Sequence, residues 1–266
     1  MIADQLKNTE IHKLTALQPE GWPDIVPHFD FYTNAKYCFP IKISIDNKIV
    51  GIGSSIIHDN SAWLAHIIVH PEHRNKGIGK QITQKLIKQT TEKGCKTIQL
   101  IATELGAYVY EKVGFKIDTE YIFYKVSENK EKHIASNHVI PYQDSLYENL
   151  LAFDYDISGE NRQVSLKQHL KNAFIFFKNN KIEGFFLPSF GEGLILASTP
   201  EAGIELLKLR LNTHKNVIFP IDNSVAKEFT ENKGYEIAYR AKRMWLGTKP
   251  ITKPANIYAR IGGNLG

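Results

Sequence analysis

The run Ala65-His66-Ile67-Ile68-Val69-His70-Pro71-Glu72-His73-Arg74-Asn75-Lys76-Gly77-Ile78-Gly79-Lys80 decides how the chain is read. An apolar stretch from Ala62 to Val69, stopped by Pro71, reads as a strand. A polar loop follows it and leads to two glycines. Ile78, Ile82 and Leu86 then recur every fourth residue, and Ile87 widens that face, so a helix is expected from Gly77 to Lys93 with Gly94 closing it. A strand, a tight loop and a helix start present unpaired amides and the positive end of the helix dipole to an anion. Gly77 and Gly79 leave room for a close guest, and Arg74, Lys76 and Lys80 add positive charge. A diphosphate suits such a place.

Two other phosphate loops fail on the same residues. The P-loop needs glycine where Arg74 stands and Ser or Thr where Gln81 stands. The dinucleotide fingerprint needs a third Gly or Ala where Ile82 stands, and Gly51-Ile52-Gly53 fails likewise at Ile56.

Outward from this core, Thr97 to Ile101 reads as a strand and is followed by a shorter helix. That helix ends in Glu111-Lys112-Val113-Gly114-Phe115, with glycine after the last turn and an aromatic to pack. Upstream, Ile41–Ile45 alternates as a strand, Asp46-Asn47-Lys48 turns, and Ile49–Gly53 starts the next strand. The order then recurs. Ala173–Phe177, the turn Lys178–Lys181 and Ile182–Phe186 form a second hairpin. A strand from Leu194 to Ser198, a helix from Glu201 to His214, a strand from Val217 to Ile221 and a helix ending at Lys233-Gly234-Tyr235 follow it. The polar stretch Ser127–Lys132 separates the halves and reads as a linker. The expected domains are 1–128 and 134–266, related by duplication.

Arg74-Asn75-Lys76-Gly77-Ile78-Gly79 resembles the Arg-x-x-Gly-x-Gly loop of the Gcn5-related N-acetyltransferases (GNAT). Val69-His70-Pro71-Glu72 and Ala107-Tyr108-Val109-Tyr110-Glu111-Lys112-Val113-Gly114-Phe115 resemble the flanking elements of that family at the right spacing. The resemblance covers about residues 5 to 126. The complete chain is similar to tandem members with a second, diverged GNAT-like domain, on element order, Arg243-Met244 and Ile257-Tyr258-Ala259-Arg260. It implies an α/β fold of two tandem domains, each a mostly antiparallel mixed sheet flanked by helices. It further implies an N-acetyltransferase that moves an acetyl group from acetyl-CoA, a co-substrate, to a primary amine of a small molecule by direct attack. Ile67, Ile68 and Val69 would bind the pantetheine through their backbone, with an N–H near Ile68 serving the oxyanion. The amides of Arg74, Asn75, Lys76, Gly77, Ile78, Gly79 and Lys80 would hold the pyrophosphate. Tyr110 matches the tyrosine that protonates the departing thiolate, with Tyr108 as its rival. Glu104 stands where many members have Asn, and an ionised carboxylate cannot donate. That departure motivates the alternative of a catalytically inactive CoA-binding sensor or assembly module.

An amine of pKa about 10.4 must lose a proton before it attacks. His66, on the strand beside the expected thioester, is the candidate base, with packing as its plain alternative. Trp22, Phe29, Phe31 and Tyr32 either shape an acceptor pocket or fill the core. No metal is expected: His70 and His73 flank Pro71 without the spacing of a ligand set. At the place equivalent to the phosphate loop the second half has Ala197-Ser198-Thr199-Pro200-Glu201-Ala202-Gly203, without Arg or Lys, so it is not expected to bind CoA.

Bulk properties agree. The 266 residues suffice for two domains, and 42% hydrophobic content suits a globular protein. No apolar run reaches the roughly 20 residues of a membrane helix, and no secretion signal opens the chain. The two cysteines, Cys38 and Cys95, cannot build a disulfide framework, so a cytoplasmic protein is expected. The net charge of +5 suits an anionic ligand. No basic stretch with interleaved aromatics argues for nucleic acid. The expected assembly is a monomer or homodimer.

Overall fold

The computed structural model describes residues 2–126 and 132–265. The expected boundary at residue 128, and most of the expected linker, lie outside them. The chain forms two compact units. The first comprises Met1–Lys116, Met244–Lys249 and Gly263–Leu265, and the second comprises Ile117–Arg243 and Pro250–Gly262. This division differs from the expected 1–128 and 134–266 at both ends, because strands pair by shape and polarity and not by order along the chain.

The first unit contains β1 (Ile2–Gln5), α1 (Val26–Asn34), β2 (Cys38–Ile45), β3 (Lys48–His58), β4 (Ser61–Val69), α2 (Ile78–Glu92), β5 (Thr97–Ala102) and α3 (Glu104–Glu111). The strands lie in that order across the sheet. All neighbours run antiparallel except β4 and β5, which are parallel. The second unit contains β6 (Lys116–Lys125), β7 (Val139–Pro141), α4 (Tyr147–Ser158), α5 (Gln163–Leu166), β8 (Phe174–Lys178), β9 (Lys181–Leu187), β10 (Leu194–Ala197), α6 (Pro200–Leu211), β11 (Asn216–Pro220), α7 (Ser224–Asn232), β12 (Glu236–Gly247) and β13 (Ile257–Ala259). There β12, β6 and β11 lie side by side, and β13-β10-β9-β8-β7 form a five-stranded sheet. The last residues of β12, from Met244, belong to the first unit and lie beside β5. Thr97 Oγ1 donates to Thr248 O at 2.9 Å, and Thr248 N to Lys96 O at 2.8 Å.

Both hairpins expected from the sequence are present and share their construction. Ile45 pairs Lys48 across Asp46 (φ 48°) and Asn47 (φ 61°). Lys178 pairs Lys181 across Asn179 (φ 52°) and Asn180 (φ 60°). Two left-handed residues make the tight turn whose twist matches paired strands, and Asn tolerates that conformation. A register shift follows each turn, and just beyond it sits a glycine, Gly51 or Gly184. A Cβ on Gly51 would lie 2.8 Å from Ile82 Cδ1, and one on Gly184 would lie 3.0 Å from Leu206 Cδ1. In each unit the bare backbone lets a helix lie close on the sheet.

The first core gathers Ile41, Ile43, Val50, Leu64, Ile78, Ile82, Leu86, Ile98, Leu100 and Phe115. Ile78, Ile82 and Leu86 are the apolar stripe of α2, each at most 1% exposed. Burying such a side chain stabilises by roughly 1.5–3 kcal/mol. That stripe fixes the start of α2 against the end of β4.

Candidate active site

β4 pairs with β5 only through Ser61–Trp63 against Thr97–Gln99. Both strands run on, β4 to Val69 and β5 to Ala102, so their later parts diverge. On its other side β4 follows β3 with one irregularity: Ser54 faces Ala65 and Ile52 faces Ile68, so His66 and Ile67 together oppose Gly53. This is a β-bulge, and His66 adopts φ 48°, a conformation non-glycine residues rarely hold.

The register sorts the backbone groups. His70 N–H donates to Val50 O at 2.9 Å. Ile68, two residues earlier and opposite Ile52, points its N–H and C=O the same way, toward β3. Of the three expected pantetheine contacts, Ile68's is therefore already committed. Val69 points toward the gap, and its carbonyl takes Arg74 Nε at 3.3 Å. A backbone edge without a strand partner will accept an extended amide chain.

Beyond β4 comes a short turn, Pro71–His73, whose start is tied by Glu72 N–H to His70 Nδ1. Among the described residues, His70, Glu72 and His73 are the one trio with possible metal-ligand atoms within 4.8 Å of one another. Asn75 (φ 61°) and Gly77 (φ 78°) then swing the chain into α2. Gly77 is the N-cap and offers no side chain to the helix. Among the described residues, the amides of Ile78, Gly79 and Lys80 find no acceptor in the protein. A Cβ on Gly79 would meet only Val69 Cγ2 at an ordinary 3.7 Å, so neither packing nor φ demands glycine there. Its bareness leaves room for a guest. Arg74, Asn75, Lys76, Gly77 and Lys80 are exposed. The start of α6 is built otherwise. Thr199 Oγ1 accepts from Ala202 N at 3.3 Å, and a Cβ on Gly203 would strike the Tyr258 ring at 2.1 Å. That helix end is capped and covered by its own unit.

Tyr110 and Tyr108 both lie on α3 and face differently. Tyr110 packs against the core, 5.9 Å from the Phe115 ring, and burial pushes its hydroxyl up to about 12. Tyr108 is 64% exposed. Glu104 is an exposed residue of the first turn of α3, where a carboxylate suits the helix dipole. Cys38 and Cys95 are buried, and burial raises both thiols, Cys38 to about 12, which removes them as nucleophiles.

His66 is ringed by Trp22, His28, Phe29 and Tyr32, with centroids 4.6 to 6.2 Å away. Tyr32 OH lies 2.8 Å from His66 Nδ1 and receives Asn264 Nδ2 at 2.9 Å. Phe29 and Tyr32 are fully buried, whereas Trp22 and Phe31 are exposed, so the aromatic run divides between core and surface. Burial first, and the neighbouring His28 second, lower the imidazole of His66 to about 3. The ring is neutral at working pH, but its conjugate acid is too strong to keep a proton taken from an ammonium of pKa about 10.4. Asn264 carries no mark in the sequence, since nothing in the residues around it points to a partner 232 positions away.

The Acetyltransferase (GNAT) family profile matches residues 4–115. The ribosomal protein bS18-alanine N-acetyltransferase of Haemophilus influenzae is 32% identical over 99 residues, which is 36% of this chain and 68% of that protein. This chain belongs to the GNAT acetyltransferase family. A solved candidate acetyltransferase from Pyrococcus horikoshii matches 100% of this chain and 95% of its own, with TM-score 0.84 and 19% identity. A GCN5-related N-acetyltransferase from Sphaerobacter thermophilus matches 95% of this chain and 98% of its own, with TM-score 0.64 and 12% identity. These two likenesses show the fold of this acetyltransferase over both units. No helix among the described residues is long and apolar enough to cross a membrane.

Proposed function

We propose that the protein transfers an acetyl group from acetyl-CoA to a primary amine of a small molecule, at a site built by the first unit alone. One observation carries this reading. The gap where β4 leaves β5 runs straight into a basic loop and the uncapped start of α2. An extended amide chain ending in a diphosphate would use both, with Val69 pairing the chain and the amides of Ile78, Gly79 and Lys80 holding the diphosphate. Arg74, Lys76 and Lys80 supply charge around it.

In this reading the amine nitrogen attacks the thioester carbon. The tetrahedral adduct collapses with cleavage of the carbon–sulfur bond. Tyr110 gives its hydroxyl proton to the leaving thiolate and is reprotonated from solvent. A phenol pushed up to about 12 is still protonated at neutral pH, as a donor must be. The thiolate, of ordinary basicity about 8.5, is the weaker base, so the hydroxyl hydrogen-bonds the sulfur as charge builds and transfer is completed as solvent reprotonates the phenolate. The nitrogen sheds two protons to water, one from the ammonium before attack and one from the adduct as it collapses, because His66 cannot retain them. His66 and the rings around it face the acceptor side. The bulge at His66 turns the backbone of β4 at the point where the reacting carbonyl would lie.

The test is direct. Purified protein is mixed with acetyl-CoA and a broad amine panel, and free thiol is followed. Acetylation of at least one panel amine is expected, together with calorimetric binding of CoA esters that weakens in Arg74→Ala. No heat from any CoA ester, or an Arg74→Ala variant that binds like wild type, would sink the reading.

A further inference from the structure

Tyr32 stands between two partners, and the donors can be counted. Its oxygen lies 2.9 Å from Asn264 Nδ2 and 2.8 Å from His66 Nδ1. An amide nitrogen only donates. The phenol oxygen therefore accepts from Asn264 and keeps its own hydrogen for the other neighbour, His66 Nδ1. A neutral imidazole has one accepting and one donating nitrogen. With Nδ1 accepting, the ring carries its hydrogen on Nε2.

We propose that Asn264 is a positioning residue for the transfer reaction. Through Tyr32 it fixes His66 as the Nε2–H form, so that the imidazole presents a hydrogen-bond donor, not a base, to the reacting centre. This rests on the reading above, in which His66 faces the acceptor side. Three further observations support the wiring. Tyr32 is 1% exposed, so its hydrogen has little access to water. The His28 ring, 4.6 Å from that of His66, and the edges of Trp22 and Phe29 hold the imidazole in place. Asn264 and Tyr32 both belong to the first unit, so the bond lies within one compact body. A donor at Nε2 suits an oxygen on which negative charge develops during attack. The opposite amide orientation, with Oδ1 toward Tyr32, would take the phenol's hydrogen, force Nδ1–H and leave Nε2 as a base. The two arrangements predict opposite tautomers.

The experiment reads the tautomer first and turnover second. The full chain is labelled with ¹⁵N, and the imidazole nitrogens are recorded by long-range proton–nitrogen correlation at neutral pH. The His66 signals are assigned by their loss in His66→Asn. Wild type is expected to show a bare Nδ1 and a protonated Nε2. Asn264→Asp puts an acceptor where the donor stood, so it is expected to move the proton to Nδ1. The same variant is expected to lower kcat about tenfold while the KM for acetyl-CoA stays unchanged. A protonated Nδ1 in wild type overturns the proposal and needs only the His66→Asn protein used for assignment, at a left-handed position that Asn tolerates. A tautomer that ignores Asn264→Asp overturns it too, as does a tautomer that switches while kcat stays the same. If wild type has the expected tautomer but acetylates no amine at all, the acetyl-transfer reading fails and the Asn264–Tyr32–His66 wiring stands.

Discussion

His66 ties the fold to pH in a way that can be worked out in advance. In the unfolded chain its imidazole takes a proton as pH falls below about 6.5. In the folded chain burial and His28 delay that proton until about 3. Between those values the unfolded state binds more protons, so stability falls as pH falls, and it falls by about 1.4 kcal/mol for each pH step. Moving from about pH 7.5 to about pH 4.5 should therefore remove roughly 2.5 kcal/mol, a large share of the 5–15 kcal/mol typical of a folded domain. His66→Asn tests this cleanly. Asn tolerates the left-handed backbone at this position, can still accept from Tyr32, and does not titrate. Urea unfolding followed by circular dichroism at the two pH values gives both stabilities. Every other titrating group is shared, so wild type should lose roughly 2.5 kcal/mol more than the variant, a relative midpoint shift on the order of 1 M urea. Equal losses in the two proteins would refute the assignment of a half-buried neutral imidazole.

Other substitutions separate binding, chemistry and packing. Tyr110→Phe should lower kcat by about 10²–10⁴ with calorimetric affinity for CoA unchanged, and Tyr108→Phe should do neither. Gly77→Ala forces a side chain into φ 78° and should cost about 1–2 kcal/mol in unfolding free energy while weakening CoA binding. Gly51→Ala puts a Cβ 2.8 Å from Ile82 Cδ1 and 3.0 Å from Ile78 Cγ2, so about 1–3 kcal/mol should be lost in a thermal melt, with CoA binding weakened as the start of α2 is pushed off the sheet. In the second unit, Gly203→Ala drives a Cβ to within 2.1 Å of the Tyr258 ring, and a severe drop in soluble yield is expected.

The parts of this structure legible in the sequence are those set by local chemistry. Asn pairs at the hairpin tips, glycines after the helices and the stripe Ile78, Ile82, Leu86 each announce a conformation within a few residues. The loop from Arg74 to Lys80 was legible for the same reason, since an uncapped helix start and its charges are contiguous in the chain. The bulge was not, because nothing about His66 marks a residue that will turn left-handed inside a strand. The committed backbone of Ile68 depends on register across β3, which a period of two cannot supply. Asn264 meets Tyr32 only in three dimensions. The membership of β12 was also hidden, since an alternating strand shows that it will pair and not with which neighbour.

The placement of Met244–Lys249 reaches beyond the sheet. Met244 is fully buried in the first core, and the backbone at Gly247 runs so close to Lys96 that a Cβ there would sit 2.2 Å from the Lys96 carbonyl. The residues up to Lys116 thus cannot be lifted out as an interchangeable cassette. A ribosome that has finished them has still to make more than a hundred residues before the last strand of that half arrives, so the first core closes only after most of the chain has been made.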